Sequence, residues 1–270
     1  MSNLIQRTIS GAIFITVIIA SIVLSYRFTC ILFLMFSILA VREYHSLVSS
    51  TAWHTAISIV SSICLYMSLA TNHYWWSMAF VIVLMAALMA EVIRASLGKA
   101  SAPVQMWGNL LISQVMIALP FGLAANILNM ECWENTRWLL LALFVCIWAN
   151  DTGAYCVGSL IGKHKMIPVV SPGKTWEGLI GGFCTSLIAG GVFSFFIDYY
   201  ALWQWLIFAF VVSLFGTFGD LMESLLKRSI GVKDSGKFLP GHGGVLDRFD
   251  SFLLAMPAIW LMIVISIYCS

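Results

Sequence analysis

Apolar residues run through this chain in long blocks separated by short, more polar joints. Nine blocks reach or approach the roughly 20 helical residues needed to cross a hydrocarbon layer about 30 Å thick. They are residues 9–25, 28–48, 55–71, 74–95, 107–129, 137–160, 178–197, 203–227 and 251–268. The pattern predicts an all-α fold, a polytopic transmembrane helical bundle of about nine spans. The first two joints are very short, so the early helices are expected to form tight hairpins. Trp75, Trp76, Trp107, Trp133, Trp138, Trp203 and Trp205 fall near span ends, as interfacial aromatic belts do. The first block follows Arg7 in the manner of a signal peptide. No small-residue cleavage site closes it and further apolar blocks follow at once, so it is expected to be a retained span.

Composition agrees with the pattern: 61% of the residues are hydrophobic and 10% are charged, a balance unsuited to a soluble core. The net charge of +2 and the lack of a basic arm exclude a nucleic-acid partner and leave membrane lipid as the expected one. With nine crossings, one side of the membrane receives Arg7, Arg42, Arg94, Lys99, Lys163, Lys165, Lys174, Lys227, Arg228, Lys233, Lys237 and Arg248. The other receives only Arg27 and Arg137, which completes the 14 cations. The positive-inside rule then predicts that the N-terminus is cytoplasmic and the C-terminus is not. Seven scattered cysteines, with no C-x-x-C pair, read as packing residues.

One window breaks the apolar pattern. Residues 219–251 hold Asp220, Glu223, Lys227, Arg228, Lys233, Asp234, Lys237, Asp247, Arg248 and Asp250. Interleaved carboxylates and cations suit a site for a metal ion and several phosphates. Mg²⁺ takes one or two carboxylates plus phosphates and water. Lys and Arg supply the countercharge and hydrogen-bond donors that phosphates need. His242 sits among Gly241, Gly243 and Gly244, in a loop whose backbone can approach an anion closely. A positive-inside anchor would need only Lys and Arg. On a helix Asp220, Glu223 and Lys227 share one face, although Glu223 and Lys227 could equally form an ordinary i, i+4 pair.

Two further polar clusters interrupt the apolar blocks. Asp151, within Asn150-Asp151-Thr152-Gly153-Ala154-Tyr155, lies more than a turn inside an apolar block. Either a neighbouring helix or a metal must compensate it. The small residues Gly153, Ala154, Gly158 and Ser159 would admit a close helix neighbour, and Gly181-Gly182 and Gly190-Gly191 read as packing surfaces. Residues 171–178, Ser-Pro-Gly-Lys-Thr-Trp-Glu-Gly, read as a turn into a helix capped by Thr175. Lys174 stands beside a helix start that could bind an anion or simply be capped. In the first half, Glu91 and Arg94 most simply pair with each other, Arg42 and Glu43 fit interfacial pairing as well as a substrate role, and His45, His54 and His73 read as interfacial.

Ser224-Leu225-Leu226-Lys227-Arg228, then Lys233-Asp234, then His242-Gly243-Gly244-Val245-Leu246-Asp247-Arg248-Phe249-Asp250 resembles the signature of the CDP-diacylglycerol synthases, or phosphatidate cytidylyltransferases. Residues 151–155 and 171–178 resemble two further motifs of that family. The resemblance implies a membrane enzyme that joins CTP and phosphatidic acid, releases pyrophosphate and requires Mg²⁺. Asp220 and Asp247 are then the first candidates for metal ligands, with Asp151 and Asp250 next. Lys174, Lys227, Arg228, Lys233 and Arg248 would clamp phosphates, with Ser171, Thr175, Gly243 and Gly244 binding substrate and His242 donating to pyrophosphate. Residues 1–136 would form a lipid cavity or a homodimer contact, and residues 137–270 the catalytic region. The compact chain favours a bacterial inner membrane with the site facing the cytoplasm. Rival readings are an ion- or proton-coupled transporter, a nucleotide-dependent lipid kinase and a lipid-binding scaffold. The transporter would place charges near the midplane in repeat-related segments, and no internal repeat is found.

Overall fold

A computed structural model describes residues 3–99, 102–130, 136–198, 200–236 and 243–269. Each of the nine apolar blocks is helical: α1 Asn3–Leu24, α2 Tyr26–Leu47, α3 Ala52–Thr71, α4 Tyr74–Ser96, α5 Pro103–Leu128, α6 Arg137–Ile161, α7 Trp176–Phe193, α8 Leu202–Ser229 and α9 Leu246–Cys269. Eight of them, α2 to α9, are long and apolar enough to cross a membrane, and α1 adds the shorter apolar stretch Ile9–Leu24. Within α5 the residues Ser113–Ala118 form a π-turn just before Pro120. Proline lacks an N–H for the carbonyl four residues back, and its ring crowds that carbonyl, so a wider turn relieves the clash.

The chain divides into two compact units. One comprises Met1–Asn129 with Asp234–Leu246. In a bilayer, lipid competes with helix for apolar contact, so close packing and hydrogen bonds between helices carry association. Here Phe33 meets Phe121 edge-on at 6.0 Å. Gly122 lets α5 lie against Leu69 and Tyr66 of α3. Buried Gln114 accepts from Ser62 Oγ at 3.1 Å and donates to the Ser58 carbonyl at 3.2 Å. Glu91 does pair with Arg94, at 3.3 Å, but it also takes His54 Nε2 at 3.0 Å, fastening α3 to α4. His54 therefore has a partner 37 residues away that local spacing does not reveal. His45, in the last turn of α2, is buried, with its Nδ1 2.9 Å from Ser50 Oγ.

The other unit comprises Met130–Lys233 with Asp247–Ser270. Its α6 and α7 meet along the small residues. A methyl on Gly153 would stand 2.8 Å from the Gly181 carbonyl, and one on Gly182 would stand 2.7 Å from Asn150 Oδ1. Thr185 Oγ1 donates to the Ala149 carbonyl at 2.8 Å across the same seam. Gly216 and Gly219 bring α8 onto the backbone of α9 at Asp250 and Ser251. Phe144 of α6 stacks on Phe252 at 5.4 Å, burying the first turns of α9. A methyl added where no space exists costs about 1–3 kcal/mol. Gly153→Ala is thus expected to lower the unfolding midpoint in detergent, and Gly191→Ala, with nothing within 4 Å, to leave it unchanged.

Residues 171–175 correct one expectation. Instead of a turn they form strand β2, Ser171–Thr175, antiparallel to β1, Lys165–Ile167. Pro172 and Gly173 are tolerated because a two-stranded ribbon leaves its outer edge unpaired, and the register shifts beside them. Glu177 fastens the base of this hairpin. Its carboxylate accepts from the backbone N–H of Lys163 at 3.2 Å and meets His164 Nδ1 at 2.6 Å. Thr175 caps α7 as expected, its Oγ1 accepting from Gly178 N at 3.1 Å.

Candidate active site

The C-terminal half of α6 carries Asn150, Asp151, Ala154, Tyr155, Gly158 and Ser159 at the spacing of one helix face. That face is one wall of a cavity of about 530 Å³. The hairpin supplies Lys165, Ser171 and Lys174, α7 starts beside it with Gly178, and α8 contributes Thr217 and Asp220. Its volume is in the range of small-molecule sites.

Charge at the cavity is paired across elements distant in sequence. Lys174 Nζ lies 2.7 Å from Asp220 Oδ2, joining the end of the hairpin to α8. About two turns further along α8, Lys227 is held between Glu223 of its own helix and Asp247 Oδ1 of α9, the latter at 2.7 Å. This triad is nearly dry: the side chains of Lys227, Glu223 and Asp247 are 12%, 3% and 8% exposed. Carboxylates at such depth are costly unless countercharged, and each lysine serves a carboxylate on another element. Asp250 lies within electrostatic reach of Asp151, Asp220 and Glu223, so four acidic groups from α6, α8 and α9 share one region. Asp151 also feels Lys174 and Arg248.

Of the residues singled out in the sequence, this unit brings together Asp151, Ser171, Lys174, Thr175 and Asp220 at the cavity, and Lys227 with Asp247. The hydroxyl of Thr175 is committed to capping α7. Arg228 is exposed and donates through Nη1 to the Val232 carbonyl at 3.3 Å. Lys233 and Arg248 are exposed. Gly243, with φ +81°, and Gly244 belong to the unit built on α1–α5. His242 lies outside the described residues. Among the described residues no three His, Cys, Asp or Glu side chains converge as a ready chelate. Mg²⁺ does not require one, since it retains waters and takes substrate phosphates beside one or two carboxylates. The donor set therefore fits that ion: all-oxygen, acidic and clustered, with Asp151, Asp220 and Asp250 outnumbering the cation nearest the cavity.

Residues 5–266 match the model of a family described as the cytidylyltransferase family. The chain belongs to that family. It is also similar to proteins named phosphatidate cytidylyltransferase: 51% identical over 132 residues to one from Staphylococcus saprophyticus, which is 48% of this chain and 50% of the relative. A relative from Staphylococcus haemolyticus is 51% identical over 126 residues, 46% of this chain and 48% of its own. One from Staphylococcus aureus is 48% identical over 132 residues, 48% of this chain and 50% of its own. The chain thus spans about half the length of the curated relatives it matches.

This family member also places Asn150, Tyr155, Lys165 and Thr217 at the cavity, none of which was singled out as a site residue. Asn150 is buried, and its Oδ1 has no hydrogen-bond partner among the described residues. A signal for Asn150 and Tyr155 does exist: positions 150, 151, 154, 155, 158 and 159 form a small and polar stripe at helical period inside an apolar block. Lys165 and Thr217 carry none, because only the fold brings the hairpin and α8 to the same wall.

Proposed function

We propose that this family member is a phosphatidate cytidylyltransferase, forming CDP-diacylglycerol and pyrophosphate from CTP and phosphatidic acid. The observation that carries this reading is the cavity where Asp151, Lys174 and Asp220 meet beside the Glu223–Lys227–Asp247 triad. A phosphate oxygen of the lipid attacks the α-phosphorus of CTP, the bond to the β-phosphate oxygen breaks, and pyrophosphate leaves with that electron pair. The nucleophile is already anionic near neutral pH, so the reaction needs positioning and charge neutralisation more than a general base. Lys174, on the hairpin, is suited to hold a phosphate in the cavity, and Ser171 to donate to it. Arg228, Lys233 and Arg248, exposed at the helix ends, can steer and clamp the triphosphate, with Gly243, Gly244 and His242 offering donors from the signature segment. Asp220 and Asp247, then Asp151 and Asp250, would hold Mg²⁺, which when bound supplies charge neutralisation for the leaving pyrophosphate.

Orientation supports a single meeting point. Within the unit built on α6–α9, the end of α6, the start of α7 and the end of α8 line one cavity, and Lys227 of α8 reaches Asp247 at the start of α9, so these helix ends share one side, the side that holds most of that unit's cations. That side is cytoplasmic by the positive-inside rule, where a nucleotide can enter while the lipid enters from the bilayer. A bacterial inner membrane is the matching location, and α1–α5 are the segment available for a homodimer contact. The test uses purified protein in detergent with phosphatidic acid, labelled CTP and Mg²⁺, following lipid-extractable cytidine and released pyrophosphate. Equal yields of both are expected; a folded preparation that yields neither refutes the reading.

A further inference from the structure

The signature segment is anchored by a residue nearly two hundred positions away. Glu43 lies near the C-terminal end of α2, where spacing alone leaves it open between interfacial pairing and a substrate role. Its Oε2 accepts a hydrogen bond from the backbone N–H of Leu246 at 3.0 Å and another from Ser235 Oγ at 3.3 Å. Both glycines around these contacts are shaped to the same carboxylate. A methyl on Gly236 would stand 2.7 Å from Glu43 Oε1, and one on Gly244 would stand 2.7 Å from Glu43 Cδ. Thus Ser235, Gly236, Gly244 and Leu246, on both flanks of residues 237–242, converge on one acidic side chain within one compact unit.

Leu246 is the first residue of α9. The opening N–H groups of a helix have no partner inside it, and an acceptor there fixes where the helix begins. A carboxylate adds a favourable interaction with the positive end of the helix dipole. Sequence neighbours usually supply this cap; here it comes from another helix. The residues that follow Leu246 are Asp247 and Arg248, so the cap sets the start, and with it the phase, of the helix that carries both.

From this geometry we propose that Glu43 is a positioning residue for the reaction. It touches neither substrate, but holds the signature segment and the first turn of α9 in the form the site requires. This rests on the cytidylyltransferase reading above. It also gives Gly236 and Gly244 a reason: any side chain at either would displace the carboxylate.

The test pairs hydrogen exchange with turnover in the full-length protein, comparing wild type, Glu43→Gln and Glu43→Ala. Glutamine keeps a carbonyl oxygen for the Leu246 N–H and alanine does not. Expected for Glu43→Ala is faster exchange in peptides covering residues 234–249, unchanged exchange in α6 and α7, and turnover at least about tenfold lower, since a displacement near 1 Å can cost about 100-fold. Glu43→Gln should restore protection and most of the turnover. Wild-type exchange in Glu43→Ala would overturn the anchoring role. Faster exchange with turnover within twofold of wild type would overturn the positioning role. Wild-type protein without turnover would refute the cytidylyltransferase reading and this role with it, and the exchange data alone would then say whether the anchor exists.

Discussion

In the proposed reaction, Asp247→Asn should give a folded protein whose turnover of CTP and phosphatidic acid falls by about 100-fold or more, the scale on which losing one preorganised electrostatic group acts. The substitution is nearly isosteric, and Lys227 retains Glu223 as a partner, so no buried cation is left uncompensated. What disappears is one anionic oxygen 2.7 Å from Lys227 Nζ, in a region where α6, α8 and α9 present carboxylates together. Measured in the lipid-extraction assay beside an unfolding curve in detergent, the expected result is lost product at an unshifted midpoint. Retained turnover would remove Asp247 from the reaction. A midpoint that falls in step with the activity would make its role structural.

How much of this was open to reading in the sequence depends on the range of the interaction. All nine helices among the described residues follow from apolar blocks, because the length needed to cross a bilayer is a local property of consecutive residues. The Thr175 cap and the glycine seam of α6 and α7 were legible for the same reason. The hairpin was not, since Pro172 and Gly173 look like a turn until Lys165–Ile167 is brought alongside. Within the site, the crowding of charge in residues 219–251 pointed to Asp220, Lys227 and Asp247. No spacing rule could pair Lys174 with Asp220, or give Glu43 to Leu246, because such partners are chosen by the fold. His54 and Glu91 make the same point away from the cavity: in sequence His54 looks solitary and Glu91 pairs only with Arg94, and the crossing of α3 and α4 joins them.

Lys227→Met separates the two duties of the triad. A single cation at Lys227 compensates Glu223 and Asp247, and all three side chains are nearly excluded from water. Removing one partner of a buried ion pair typically costs about 3–5 kcal/mol, because the remaining charge keeps its desolvation penalty. Lys227→Met should therefore lower both the unfolding midpoint and the turnover, and by itself it could not distinguish a catalytic lysine from a structural one. Adding Glu223→Gln removes one of the stranded charges, and a volume-matched uncharged pair is often as stable as the ion pair it replaces. The double variant should regain much of the midpoint. If Lys227 serves only the fold, its turnover should return as well. If Lys227 also clamps a phosphate or holds Asp247 in place, as proposed, turnover should stay at the level of the single variant, because neither methionine nor glutamine provides a cation beside the acidic cluster. Recovered stability with unrecovered turnover is the expected outcome, and a parallel return of both would confine Lys227 to a structural role.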